Sequence, residues 1–154
     1  MLVANDAAGD AWLPGVPRIG DLRPRRGPLA GIHAALAHLG TSIVAVAWDM
    51  PFVASGLLAE LRRRGAGGAI AVVPENAEGR LEPTCAYYAA ASRTLIERWL
   101  DDGQSGATAF LEQCAGVHRM RVADVRRFGD PAQLFFSINT PTALERAQLL
   151  SGHS

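Results

Sequence analysis

Val44-Ala45-Val46-Ala47-Trp48-Asp49-Met50-Pro51-Phe52 is the stretch whose reading decides the fold. An apolar run containing β-branched valines ends in a single carboxylate, and a proline follows two residues later. No polar residue alternates through residues 43–48, so the run reads as a strand buried on both faces. Pro51 forces Met50 into an extended conformation and blocks simple continuation of the strand. Asp49 is therefore held at the carboxyl end of a buried strand, where open α/β sheets place their ligands. Such a carboxylate can hold a magnesium ion against phosphate oxygens. The same position also suits a helix cap or a buried acceptor. Pro51 favours the crevice edge.

Working upstream, Arg26-Gly27-Pro28-Leu29-Ala30-Gly31-Ile32 opens a helix. Proline suits the first turn, Gly40 suits the C-terminal cap, and Ile32, Leu36 and Leu39 share one face. That predicts a helix over residues 28–39. A glycine before a helix lets a ligand approach the backbone, and the helix start offers free N–H groups to an anion. Gly-Pro at a helix start is also ordinary capping.

The remaining elements alternate, which favours α/β architecture in a single domain of residues 1–154. Residues 2–4 read as a strand end leading into Asn5 and Asp6, and residues 7–27 read as loop. Helices are expected over 55–64, 92–102 and 109–114, with strands over 69–73, 84–89, 117–122 and 134–138. Thr140-Pro141 caps a last helix running to residue 150. Tyr87 and Tyr88 should face opposite sides of their strand, and Trp99 belongs to the core.

Composition narrows the function classes. The chain has 154 residues, 49% of them hydrophobic, and a formal net charge of +0. A chain this long can bury roughly 68–70% of its unfolded surface, so a real core is available. A nucleic-acid binder usually shows a basic excess, which is absent. The longest apolar run falls short of the ~20 residues needed to span a bilayer. Residues 1–6 have neither a basic region nor a long apolar core, so no secretory signal is expected. Cys85 and Cys114 lack paired spacing and suit a reduced, cytoplasmic protein.

Other candidates are weaker taken singly. Asn5 and Asp21 lie near strand or loop ends, where turn residues are common. Asn139, after the strand expected over 134–138, can point into the crevice or simply mark a helix start. Arg25 and Arg26 invite a phosphate reading. Arg62-Arg63-Arg64 better fits the last turn of a helix, where cations complement the macrodipole. The histidines show no metal-ligand spacing. No Ser/His/Asp order stands out, and no glycine-rich phosphate loop with lysine is present.

Taken together, these segments resemble the molybdenum cofactor guanylyltransferases, nucleotidyltransferases with the nucleotide-diphospho-sugar-transferase fold. The resemblance is carried by Asp21 with Arg26-Gly-Pro-Leu-Ala-Gly-Ile32, by Val46-Ala-Trp-Asp-Met-Pro-Phe52, by Glu82-Pro-Thr-Cys-Ala-Tyr-Tyr88 and by Phe135-Phe-Ser-Ile-Asn-Thr-Pro141. It implies a Rossmann-like three-layer αβα fold with a mostly parallel sheet. It also implies transfer of GMP from GTP to molybdopterin, with pyrophosphate released. Asp49 resembles the family's magnesium- and phosphate-binding aspartate and would be catalytic. Asn5, Asp21 and the Gly27, Pro28, Leu29 turn resemble nucleotide contacts. Asn139 resembles the later asparagine of an Asn-x-Asn-Thr-Pro motif near the pterin, whose first asparagine is Ser137 here. Implied partners are GTP, molybdopterin, and molybdoenzymes or their chaperones, with no nucleic acid and no membrane.

The chain departs from this family at the front. Family members begin with a strand, a Leu-Ala-Gly-Gly-type loop, an arginine and then a lysine. This sequence starts after that segment and contains no lysine; its fifteen basic residues are all arginine. The expectations are a domain N-terminally truncated and missing its first strand, with a gap between residues 2–4 and 43–47, and no turnover by the 154 residues alone. Alternatives within reach are a cytidylyltransferase and a non-catalytic relic that acts as a binding module.

Overall fold

The computed structural model describes residues 1–6, 14–22, 27–140, 142, 145, 148 and 149. Strand β1 is Leu2–Val3 and β2 is Arg18–Ile19, and the two pair in parallel. Helix α1, Pro28–Leu39, leads to β3, Ile43–Val46. Helix α2 is Ser55–Gly65, β4 is Ala71–Pro74 and β5 is Cys85–Tyr88. Helices α3, Ser92–Asp101, and α4, Ala107–Gln113, precede β6, Val117–Met120. Short helices α5, Val122–Val125, and α6, Pro131–Leu134, flank a 3₁₀ turn at Arg126–Phe128.

The larger sheet has the order β3-β5-β4-β6. β5 runs antiparallel to both neighbours, and β4 pairs in parallel with β6. β3, β4 and β6 therefore point the same way, and their carboxyl ends share one edge.

Side-chain alternation makes the layers. Ala71 and Val73 of β4 and Ala86 and Tyr88 of β5 pack against Leu29 and Leu36 of α1, Ile96 and Leu100 of α3, and Phe110 of α4. Val72, Cys85 and Tyr87 face the other way, onto Leu57 and Leu61 of α2, Val125 and Leu134. Each such aliphatic side chain contributes ~1.5–3 kcal/mol when fully buried. This is the expected three-layer arrangement, and the two tyrosines do divide between its faces.

α1 matches its sequence signals. Pro28 occupies the first turn, and Gly40 closes the helix in the left-handed region at φ 64°, its N–H donating to Leu36 O at 3.0 Å. Gly65 ends α2 for a different reason. A Cβ there would lie 2.2 Å from Tyr87 Cε1, so only glycine lets the helix rest on that ring.

Three expectations need correction. Residues 134–138 do not form a strand. Asp130 caps α6 by accepting from Ala132 N at 3.0 Å with Pro131 at N1, so residues 131–134 are helical instead. Residues 7–27 are not all loop, because β2 lies within them; two residues are too few to show periodicity. Residues 43–48 are not buried on both faces. β3 is an edge strand of its sheet, its first three residues are half-buried, and Val46 is 41% exposed. Val44 and Val46 direct their backbone groups to the open edge. The register and the Ala47 N to Thr84 O bond of 2.8 Å assign Ile43 and Ala45 to β5. β1 and β2 form a sheet of their own.

Thr142, Glu145, Gln148 and Leu149 are helical, and the rest of the helix expected to residue 150 lies outside the described residues. Among the described residues no helix is long and apolar enough to cross a membrane.

Candidate nucleotide and metal site

β3 ends in a tight turn. Met50 N–H donates to Ala47 O at 3.2 Å, so Trp48 and Asp49 are its two central residues. A distant segment pins this turn. Ile138 N–H donates to Asp49 O at 2.9 Å, and Ser137 Oγ donates to Asp49 Oδ2. Nearby, Phe52 and Phe136 pack with ring centroids 6.2 Å apart. Ser137 Oγ also lies 3.1 Å from the side-chain amide of Asn139. One hydroxyl has one proton, so the Ser137 O–H serves two acceptors, the Asp49 carboxylate and, farther away, Asn139 Oδ1. Asp49, Ser137 and Asn139 thus form one connected group at the carboxyl end of β3. Asp49 and Asn139 were marked by the sequence; Ser137 was not.

Asn5 and Asp21 form a second group. Asn5 Nδ2 donates to Asp21 Oδ2 at 2.9 Å, and Asp21 N–H donates to Asn5 Oδ1 at 2.8 Å. Each follows its strand, β1 or β2, by two residues. Asp21 Oδ1 would lie 3.4 Å from a Cβ on Gly31, so this glycine lets the pair sit close on α1. The carboxylate is thereby oriented by an amide donor while keeping lone pairs for a ligand.

The start of α1 has no side-chain cap, and Gly27 takes φ 70°, a left-handed conformation suited to glycine. Gly27 and Pro28 are exposed, but the Leu29 side chain is fully buried in the core. Leu29 can therefore serve a ligand only through its backbone N–H. Arg25 and Arg26 lie outside the described residues.

Several other charged groups have structural partners. Arg63 and Arg64 both donate to Glu60, at 2.7 and 2.8 Å, and Arg64 also reaches Asp124 at 3.1 Å. These hydrogen bonds hold the Glu60 carboxyl down to about 2. Arg63 and Arg64 therefore serve α2 rather than a phosphate. Beyond β4, buried Glu75 accepts from Arg121 at 2.9 Å. Burial pushes the Glu82 carboxyl up, although Asn76 Nδ2 donates to it at 2.8 Å. Glu82, Arg80 and Arg119 line an open depression of about 460 Å³ that shares no residue with the Asp49 group.

The donor set suits one kind of metal binding. Among the described residues no three His, Cys, Asp or Glu side chains gather to cage an ion. Magnesium is usually held by one or two carboxylates together with water and substrate phosphates. Asp49 fits that mode: half-buried, fixed through Oδ2 by Ser137, and with Oδ1 available.

Comparison with known proteins identifies the family. The family model described as MobA-like NTP transferase domain matches residues 1–119, which include Asn5, Asp21, Gly27 to Leu29 and Asp49. A probable molybdenum cofactor guanylyltransferase of Pelotomaculum thermopropionicum is 30% identical over 141 residues, covering 91% of this chain and 67% of that protein. A molybdenum cofactor guanylyltransferase of Desulfosudis oleivorans is 33% identical over 132 residues, covering 83% of this chain and 63% of that one. The crystal structure of molybdopterin-guanine dinucleotide biosynthesis protein A from Archaeoglobus fulgidus superposes with a TM-score of 0.82 at 33% identity, covering 99% of this chain and 78% of that chain. The chain thus spans about two thirds of the length of these two curated relatives, at 67% and 63%.

Proposed function

This chain belongs to the MobA-like NTP transferase family, and we propose that it belongs to a molybdenum cofactor guanylyltransferase, its 154 residues being part of a single nucleotidyltransferase domain. GTP and molybdopterin are the substrates. A phosphate oxygen of the pterin attacks the α-phosphorus of GTP. A new P–O bond forms, the bond to the β-phosphate oxygen breaks, and pyrophosphate leaves with its electron pair.

The observation that carries this reading is the Asp49 carboxylate, fixed by Ser137 at the carboxyl end of β3. Its Oδ1 would hold magnesium, which when bound supplies positive charge to the phosphates and to the departing pyrophosphate. Asp21, oriented by Asn5, accepts hydrogen bonds from the nucleotide. The uncapped N–H groups of Gly27 and Leu29 orient phosphate oxygens, Pro28 having none to offer. Asn139 donates toward the pterin side. Free Cys85 and Cys114 suit a reducing cytoplasm. Molybdoenzymes or their chaperones would receive the product.

Phosphoryl chemistry rests on placed charges and donors, each worth roughly 10²–10³ in rate. Without a lysine, these 154 residues should keep binding better than turnover. Binding is therefore the test. The purified chain should bind GTP in a magnesium-dependent manner, with CTP a weaker competitor. Preference for CTP would move the assignment to cytidylyl transfer. No metal-dependent nucleotide binding would remove the enzymatic reading.

A further inference from the structure

We propose that the depression lined by the 76–82 loop, α4 and β6 holds the aminopyrimidinone ring of the pterin substrate, with Glu82 as the carboxylate that reads its N–H edge; that the ring is a pterin rests on the function proposed above. Glu82 opens the Glu82-Pro83-Thr84-Cys85 segment, to which the chemistry at Asp49 gives no role. It is a half-buried carboxylate with one fixed partner, Asn76 Nδ2, which donates to Oε1 at 2.8 Å. That amide is itself held, because Asn76 Oδ1 accepts from the N–H groups of Glu78 and Arg80, both at 3.0 Å. Among the described residues no ion pair neutralises Glu82, and the Arg80 guanidinium lies 3.5 Å from Glu78 instead. Glu60 and Glu75 show the contrast, each taken up by arginine. Burial pushes the Glu82 carboxyl up, a cost that folding alone does not explain.

The cavity suits a flat ring. Its volume of about 460 Å³ falls within the ~300–1,000 Å³ of small-molecule pockets. Leu81 supplies an apolar wall, and Arg80 and Arg119 bring guanidinium planes, which stack on aromatic rings. A carboxylate offers about four lone-pair sites, enough for Asn76 and for two parallel N–H groups of an aminopyrimidinone. Position fits an acceptor that must meet a nucleotide across phosphates. A Cβ on Gly27 would lie 3.9 Å from Ser105 O, and Ser105 leads into α4, whose Thr108 lines the cavity. One helical turn along α1 from Gly27, Gly31 sits against Asp21. The Gly27 turn thus lies between two carboxylates, Asp21 for the nucleotide and Glu82 for the pterin. Guanine carries the same N–H edge, and the Asn5–Asp21 pair already provides for it.

The probes are 6-hydroxymethylpterin, which carries no phosphate, and 6-hydroxymethyllumazine, in which an oxygen replaces the 2-amino group; ring fluorescence follows binding. Glu82→Gln should weaken the pterin roughly tenfold or more and leave magnesium-dependent GTP binding unchanged. The lumazine should bind the wild type more weakly and lose less on substitution. Glutamine keeps the size of the side chain, and a melting temperature no lower than wild type separates lost binding from unfolding. Glu112→Gln, at the exposed carboxylate of the same cavity, should have a smaller effect. No binding of the pterin to the wild type, or equal binding to Glu82→Gln, would overturn the proposal. A loss confined to GTP would also overturn it, by assigning the cavity to guanine, and an equal loss in Glu112→Gln would remove the special role of Glu82. Failure of the guanylyltransferase reading looks different: GTP would then bind without magnesium dependence, whatever the phosphate-free pterin does.

Discussion

Replacing Ser137 by alanine removes the hydroxyl that donates to Asp49 and leaves the backbone link from Ile138 in place. Hydrogen bonds to charged groups contribute ~1.5–3 kcal/mol net. Asp49 is half-buried, so water can replace much of what is lost in folding. The expected fall in stability is about 1 kcal/mol or less. Metal binding should suffer more, because an unsupported carboxylate must be ordered anew by the ion. Loss of a supporting partner typically costs roughly 10–100-fold in metal affinity. The assay is Mn²⁺ titration in the presence of GTP, followed by electron paramagnetic resonance. The same variant in an Asp49→Ala background should add almost nothing. That non-additivity corresponds to a coupling of about 1.4–2.8 kcal/mol. Wild-type affinity in Ser137→Ala, or full additivity of the two substitutions, would refute the reasoning.

Gly65→Ala sets helix propensity against packing. Alanine gains ~1 kcal/mol in a helix, but its Cβ meets the Tyr87 ring at 2.2 Å, and overpacking costs ~1–3 kcal/mol. Urea denaturation should show net destabilisation, and the sign should reverse in a Tyr87→Leu background. Glu82→Gln should stabilise near neutral pH by on the order of 0.5 kcal/mol. A carboxyl raised by burial binds its proton more tightly when folded, so its ionised form costs stability. That cost is absent below its ordinary value of 4.5 and grows as pH rises through the raised one, so the gain should vanish in acid. Thermal melts across this range check the sign. Hydrogen exchange should show weaker protection in β1 than in β4, and faster exchange at Val44 and Val46 than at Ala45. Equal protection of β1 and β4 in a monomer would mean that the small sheet is more firmly held than its two short strands allow.

The site was legible where local chemistry is punctuated. Pro28 and Gly40 bounded α1 to the residue, and Pro51 after Asp49 marked the end of a strand. The apolar run of β3 announced a strand but not its neighbours, because periodicity reports burial rather than pairing. Its place at an edge therefore emerged only from the structure. Phe135 to Ile138 misled for a related reason. Aromatic and β-branched residues suggest a strand, yet Asp130-Pro131 starts a helix just before them, and Phe136 is used to pack on Phe52. Ser137 was passed over as a departure from a family motif. Its role depends on a contact across 88 residues, which no local pattern encodes. The Asn5–Asp21 pairing was hidden in the same way, across 16 residues.

The central claim is that Asp49 is the carboxylate on which metal-bound nucleotide phosphates rest. Asp49→Asn keeps the size of the side chain and an oxygen to accept from Ser137, so the fold should be preserved. Calorimetric titration of wild type and Asp49→Asn with GTP, with and without magnesium, tests the claim directly. The account predicts that the magnesium-dependent gain in affinity disappears in the variant while metal-free binding and the melting temperature stay near wild type. An undiminished magnesium effect in Asp49→Asn would contradict it.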